Sequence, residues 1–180
     1  VYHVTAEFSV ERTRSHETAR PDLVLFVNGI PFAVIECKSP KEEVAQAVSQ
    51  TIRNKRDEYI PALLTYIQLV VGVNKNEGRY ATVGAPAKFW SVWKEDVPDA
   101  VLDPLLAKPL PENIKSSIFD IVFAELGVRQ DPAPYVVGRQ STGQDRMLYA
   151  LCRPERLLEL AFEYTVFDGG VRKIARYQQY

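Results

Sequence analysis

The chain has 180 residues, 46% hydrophobic and 25% charged, close to the average of globular domains. That length buries a core without disulfide or metal staples, and the composition excludes a disordered tail, a collagen-like chain and a coiled coil. With 22 basic and 23 acidic residues the net charge is -1, so bulk charge does not advertise nucleic acid and any basic surface is local.

No apolar run approaches the ~18 residues of a membrane span, and no charged-then-apolar leader opens the chain. Two cysteines and two histidines provide neither a disulfide framework nor a zinc ligand set. A reducing, cytoplasmic setting is expected. The first residue is Val1 and the only methionine is Met147, so the sequence is expected to lack its natural start.

Tyr2, Val4, Ala6, Phe8 and Val10 alternate with polar neighbours, which predicts a half-buried strand. Glu11 to Arg20 has no large apolar residue and reads as a loop. Leu23 to Val27 is a β-prone apolar run, closed by the hairpin pair Asn28-Gly29. Phe32 to Ile35 forms the partner run, leading into Glu36-Cys37-Lys38. Pro31 limits pairing at its start, and Ile30-Pro31 are expected to lengthen the turn. Near-continuous apolar strands need helices on both faces of their sheet.

Ser39-Pro40 carries an N-cap and first-turn signal, followed by Glu42-Glu43 at the positive helix end. Val44, Val48 and Ile52 form the buried stripe of a helix expected to reach about Lys55. A short helix is expected from Ile60-Pro61 to Leu64, a third strand over Ile67 to Val73, and a fourth over Arg79 to Val83. Four prolines mark 98–111 as irregular. Helical periodicity covers 112–126 and 154–164, and 127–145 reads as loop. The element order predicts an α/β fold with a mixed sheet.

Charge sits where it is expensive. Asp22 begins one buried strand; Glu36 and Lys38 end its neighbour. Two residues apart on a strand, Glu36 and Lys38 point to one face and Cys37 to the other, into the core. An antiparallel hairpin sets Asp22 beside them. Two carboxylates and one ammonium at a sheet rim suit metal-assisted phosphodiester hydrolysis. Asp22 and Glu36 supply hard oxygen ligands for Mg²⁺, the Cys37 backbone carbonyl adds a third, and Lys38 holds or deprotonates the attacking water. The plainer alternative is a solvated strand end in which Glu36 pairs with Lys38 or Arg20.

Arg20-Pro21-Asp22 through Gly29, then Ala33-Val34-Ile35-Glu36-Cys37-Lys38-Ser39-Pro40, resembles the nuclease core of the restriction (HsdR) subunit of type I restriction-modification enzymes, in the PD-(D/E)xK superfamily. The similarity continues through Gln50 to Asn54, Gln68 to Asn74, Tyr80 to Thr82 and Phe89 to Trp93. Arg156 to Tyr180 resembles the lead-in to the motor of the same subunit. The resemblance implies a restriction-endonuclease-like mixed sheet flanked by helices, with a nuclease domain over 1–165 and a connector over 166–180 leading to a helicase-like motor.

The resemblance also implies catalytic roles for Asp22, Glu36 and Lys38. Gln50 matches the glutamine of a Gln-x-x-x-Tyr motif, while Asn54 stands at its tyrosine position. The family's upstream acidic residue corresponds to Glu7 or Glu11, and the sequence does not choose between them. Mg²⁺, with Mn²⁺ as a substitute, is the implied cofactor; ATP belongs to the motor outside this chain, where no P-loop is encoded. The implied partners are double-stranded DNA and the methyltransferase and specificity subunits, with no membrane. The rival reading is a catalytically silent module that docks the motor on the methyltransferase.

Three further groups carry two readings each. Arg53, Lys55 and Arg56 grip phosphates or complement the end of their helix. Phe89, Trp90 and Trp93 stack on bases or, as their spacing favours, fill the core or an interdomain contact. Residues 172–176 read as a solvated connector face.

Overall fold

A computed structural model of the protein describes residues 1–122 and 139–180. Five strands form one sheet in the order β1-β4-β5-β6-β7: β1 (Tyr2–Ala6), β4 (Leu23–Val27), β5 (Ile30–Cys37), β6 (Leu69–Val73) and β7 (Gly78–Ala81). Only β5 and β6 run parallel, because α1 (Val44–Asn54) and α2 (Pro61–Leu64) carry the chain between them. The remaining neighbours are antiparallel. This is the mixed, restriction-endonuclease-like α/β sheet that the sequence implied.

Strand alternation sorts the core into two layers. Val24, Val34 and Val70 face α1 and pack with Val44, Val48, Leu64 and Trp90. Leu25, Ile35, Val71 and Val73 face the opposite way. They meet α3 (Asp99–Leu106), α5 (Gly143–Cys152) and α6 (Pro154–Phe162) through Leu102, Leu151, Leu157 and Leu160. Trp90 and Trp93 are both buried, as their spacing favoured, whereas Phe89 is exposed. Among the described residues no helix is long and apolar enough to cross a membrane.

Several local expectations are corrected. The first strand ends at Ala6, since Glu7 adopts φ of 50° and breaks the alternation. It is an edge strand whose Tyr2 and Val4 lie exposed. The stretch expected as a loop holds a small hairpin, β2 (Val10–Glu11) with β3 (Thr18–Ala19). Asn28 and Gly29, both at positive φ, make a two-residue turn, so Ile30 and Pro31 belong to β5. A bulge between Leu25 and Phe26 absorbs the irregularity at Pro31 instead.

Ser39 does not cap α1. Its N–H donates to the Glu42 carboxylate in a tight turn, and the helix begins at Val44. The proline-rich stretch contains α3, with Pro98 at its start and Pro104 inside it. Burial of Leu102 holds this helix against the cost of its internal proline. Residues 112–122 are helical, as α4 (Glu112–Ser116) followed by a π-helical stretch, Ser117–Val122. The expectations for 123–138 fall outside the described residues.

The loop expected to reach 145 stops at Thr142. That residue caps α5 in a capping box, its Oγ1 accepting from the Asp145 N–H at 3.3 Å while Asp145 accepts from its own N–H at 2.8 Å. Thr142-x-x-Asp145 was the unread signal. At Gly143 the helix meets the turn after β6, and a methyl group built there would overlap the Asn76 carbonyl. Gly143→Ala is therefore expected to lower stability by about 2–3 kcal/mol, a drop of roughly 5–10 °C in thermal midpoint. An unshifted melt would show that this junction can relax.

Residues 172–176, expected as a solvated face, are partly covered: Arg172, Ile174 and Ala175 are half-buried, while Lys173 and Arg176 are exposed. β8 (Thr165–Asp168) and β9 (Val171–Ile174) form a hairpin. The Ala175 carbonyl accepts from Tyr80 Oη at 2.8 Å, and the Arg172 carbonyl from Thr82 Oγ1 at 2.8 Å. Tyr177 and Tyr180 pack edge-on against Trp93, and the buried Arg156 guanidinium stacks 4.2 Å from the Tyr180 ring centre.

Candidate active site

The register of the central hairpin builds the site. Leu23 pairs with Ile35 and Val24 with Val34, so the next rung sets Asp22 across from Glu36. Both have the parity of Val24 and Val34 and therefore face α1. The Asp22 carboxylate accepts the Cys37 N–H at 2.6 Å, which fixes it against the end of β5. Lys38 extends the same line, its own N–H donating to the Val73 carbonyl of the parallel neighbour at 2.8 Å.

Glu36 has 0% exposure. An ionised carboxylate tolerates that only with donors around it. Gln50 and Asn54, four residues apart and hence on one face of α1, provide them. Gln50 Nε2 donates to Glu36 Oε2 at 2.6 Å, and Asn54 Nδ2 to Glu36 Oε1 at 3.2 Å. Lys38 Nζ donates to Gln50 Oε1 at 2.7 Å. The amide of Gln50 thus ties the ammonium to the carboxylate, and the sequence-derived residues Asp22, Glu36, Lys38 and Gln50 lie in one cluster.

Asn54 was the part sequence reasoning missed. On the polar side of α1, away from the Val44-Val48-Ile52 stripe, Gln46 is exposed, Gln50 is half-buried and Asn54 is buried against Glu36. Its spacing from Gln50 was the available signal. Glu7 is distinguished from Glu11 by position. The Glu7 N–H donates to the Asp22 carbonyl at 2.9 Å, and partial burial and the Asp22 charge raise its carboxyl above the usual range. Glu11 lies exposed in the small hairpin.

Electrostatically the site is short of positive charge. Burial, and then the neighbouring Asp22 carboxylate, push Glu36 up to about 8, against the opposing charges of Lys38 and Arg53. Arg53 also stacks over the Tyr59 ring at 5.1 Å, so it serves more than the end of its helix. Two hard oxygen donors pressed together with excess negative charge fit a divalent cation, which would relieve their repulsion. Among the described residues no group of three or more His, Cys, Asp or Glu side chains is gathered for a metal.

Cys37 points the other way, against the Ile35 layer of the core, as its strand position predicted. Burial, followed by the Asp22 and Glu36 charges, pushes its thiol up to about 12, so it carries no thiolate near neutrality. Cys37→Ala is expected to cost about 1 kcal/mol through a small cavity while leaving any hydrolysis intact. Rapid alkylation of the native thiol accompanied by loss of hydrolysis would overturn this.

Residues 1–89 match the family model described as the type I restriction enzyme R protein N terminus. Two relatives come from Methanocaldococcus jannaschii. The provisionally named type I restriction enzyme MjaIXP endonuclease subunit is 28% identical over 164 residues, 89% of this chain and 14% of that protein. The provisionally named MjaVIIIP endonuclease subunit is 31% identical over 118 residues, 59% of this chain and 11% of that protein. The chain therefore spans only a small part of the length of these relatives.

Proposed function

Since residues 1–89 belong to the N-terminal family of type I restriction enzyme R proteins, we propose that this chain is the Mg²⁺-dependent endonuclease domain of a type I restriction-modification complex, hydrolysing phosphodiester bonds of double-stranded DNA. The observation that carries the reading is the contact chain Lys38–Gln50–Glu36 beside Asp22. A merely structural domain has no need of a fully buried carboxylate next to a second one. That weighs against the silent docking module.

Asp22, Glu36 and the Cys37 backbone carbonyl would hold the ion, with Mn²⁺ able to substitute. When bound, it supplies Lewis-acid polarisation of the phosphoryl oxygen and neutralises developing charge. Gln50 orients Lys38 toward the carboxylates, and Asn54 fixes the second oxygen of Glu36. Lys38 then positions the attacking water and stabilises the negative charge that develops on the attacked phosphoryl group as the sugar oxygen leaves. Glu7, beside Asp22, is the upstream acidic residue of the site.

In this reading residues 166–180 lead from the nuclease domain toward an ATP-driven motor, and methyltransferase and specificity subunits select the DNA. The setting is the cytoplasm. A direct test is Mn²⁺ titration followed by the ion's paramagnetic signal. Binding is expected in the unaltered protein and in Lys38→Ala, and is expected to be lost in Asp22→Ala and Glu36→Ala. Equal binding by both carboxylate variants would sink the metal assignment.

A further inference from the structure

A polar cavity of about 860 Å³ opens from Lys38 along the sheet rim, away from Asp22 and Glu36. Its walls include Lys75, Ser141 and Gln144. The size lies within the range of ligand-binding clefts. Its charge is positive: Arg139 is matched by the bidentate Asp145, whereas Lys38 and Lys75 have no carboxylate partner among the described ion pairs. Both lysines leave the same end of adjacent parallel strands, Cys37 pairing with Val73 and Lys75 following two residues later.

The turn that presents Lys75 is held in place. Asn74 is buried, and its Oδ1 accepts the N–H groups of Asn76 and Glu77 at 2.9 and 3.0 Å. Its Nδ2 donates to the Glu42 carbonyl at 2.8 Å. The Gln144 N–H donates to the Lys75 carbonyl at 3.2 Å, joining the far wall to the same turn. A fixed polar trough with one cation at the reacting end and one beyond it matches a polyanionic strand, whose charges recur at short, regular intervals.

We propose that this trough is a phosphate subsite: Lys75, assisted by Gln144, holds the phosphodiester next to the scissile one and sets the register of the strand over Lys38. The proposal rests on the nuclease reading, and its test separates the two. Duplex oligonucleotide binding is measured by fluorescence anisotropy across a salt series with Ca²⁺ present, for the unaltered protein and for Lys75→Ala, Lys75→Arg, Gln144→Ala and Asp22→Ala. Lys75→Ala is expected to weaken binding to every sequence alike and to reduce the slope of log affinity against log salt by about one.

Lys75→Arg is expected to restore the slope, and Gln144→Ala to weaken binding with no change in slope. In cleavage assays Lys75→Ala is expected to raise KM with kcat retained. An unchanged salt slope in Lys75→Ala overturns the subsite. Displacement of duplex by inorganic phosphate at constant ionic strength also overturns it, in favour of a small-anion pocket. Normal cutting by Asp22→Ala would instead overturn the nuclease site and leave the Lys75 slope to stand or fall alone.

Discussion

Asp22→Ala, Glu36→Ala and Lys38→Ala are each expected to reduce DNA cleavage by the full-length protein by at least about a thousandfold. The expectation follows from contacts. Asp22 and Glu36 face each other across the hairpin, and each supplies a carboxylate that a divalent cation would use. Lys38 is the ammonium tied through Gln50 to that pair. Gln50→Ala should be milder, because it frees Lys38 without removing a charge. ATP hydrolysis by the full-length protein should persist in all four variants, since the proposed motor lies outside this chain. Plasmid cleavage and phosphate release measured on the same preparations check both halves. Near-normal cutting by any of the three alanine variants would remove that residue from the site.

Glu36→Gln is expected to abolish cutting while removing a strong pH dependence of stability. The Glu36 carboxyl has an ordinary value of 4.5 and sits at about 8 in the fold. Between those values the folded state keeps a proton that the unfolded chain has released, so stability falls as pH rises. The slope is about 1.4 kcal/mol per pH unit, and the total loss roughly 5 kcal/mol once pH passes the folded value. Below the unfolded value the group contributes no penalty. A glutamine cannot ionise, so the variant should lose this slope. Its amide sets a donor against Gln50 or Asn54, which takes back part of the gain.

Urea unfolding at about pH 6 and about pH 9 tests this. The unaltered protein is expected to lose about 3 kcal/mol between the two, and Glu36→Gln far less. Mg²⁺ or Mn²⁺ should flatten the slope of the unaltered protein, because a bound cation favours the ionised carboxylate, and should do nothing for the variant. Parallel pH slopes in the two proteins would mean that Glu36 keeps an ordinary carboxyl despite its burial.

Elements whose signals are local are legible in the chain. Alternation and turn chemistry around Asn28-Gly29 placed the central hairpin, and the two-residue spacing put Glu36 and Lys38 on one face with Cys37 on the other. The stripe Val44, Val48, Ile52, spaced by four, located α1, and the spacing of Trp90 and Trp93 marked them as core. Short-range geometry decides these features, so one segment contains the information.

Other features depend on surfaces distant in sequence. Gln50 was a candidate by its motif position, but the donor role of Asn54 appears only when α1 lies across β5, where a buried carboxylate takes both amides. Glu7 and Glu11 are equivalent in sequence, and only the pairing of β1 with β4 brings Glu7 to Asp22. Pro104 disfavours a helix locally, but burial of Leu102 outweighs it. Residues 172–176 read as a solvated face because the anchors of their segment, Tyr80, Thr82 and Trp93, are about ninety positions away. Propensity acts over a few residues, whereas burial of a charge or an apolar face is settled by whatever the rest of the chain brings to it.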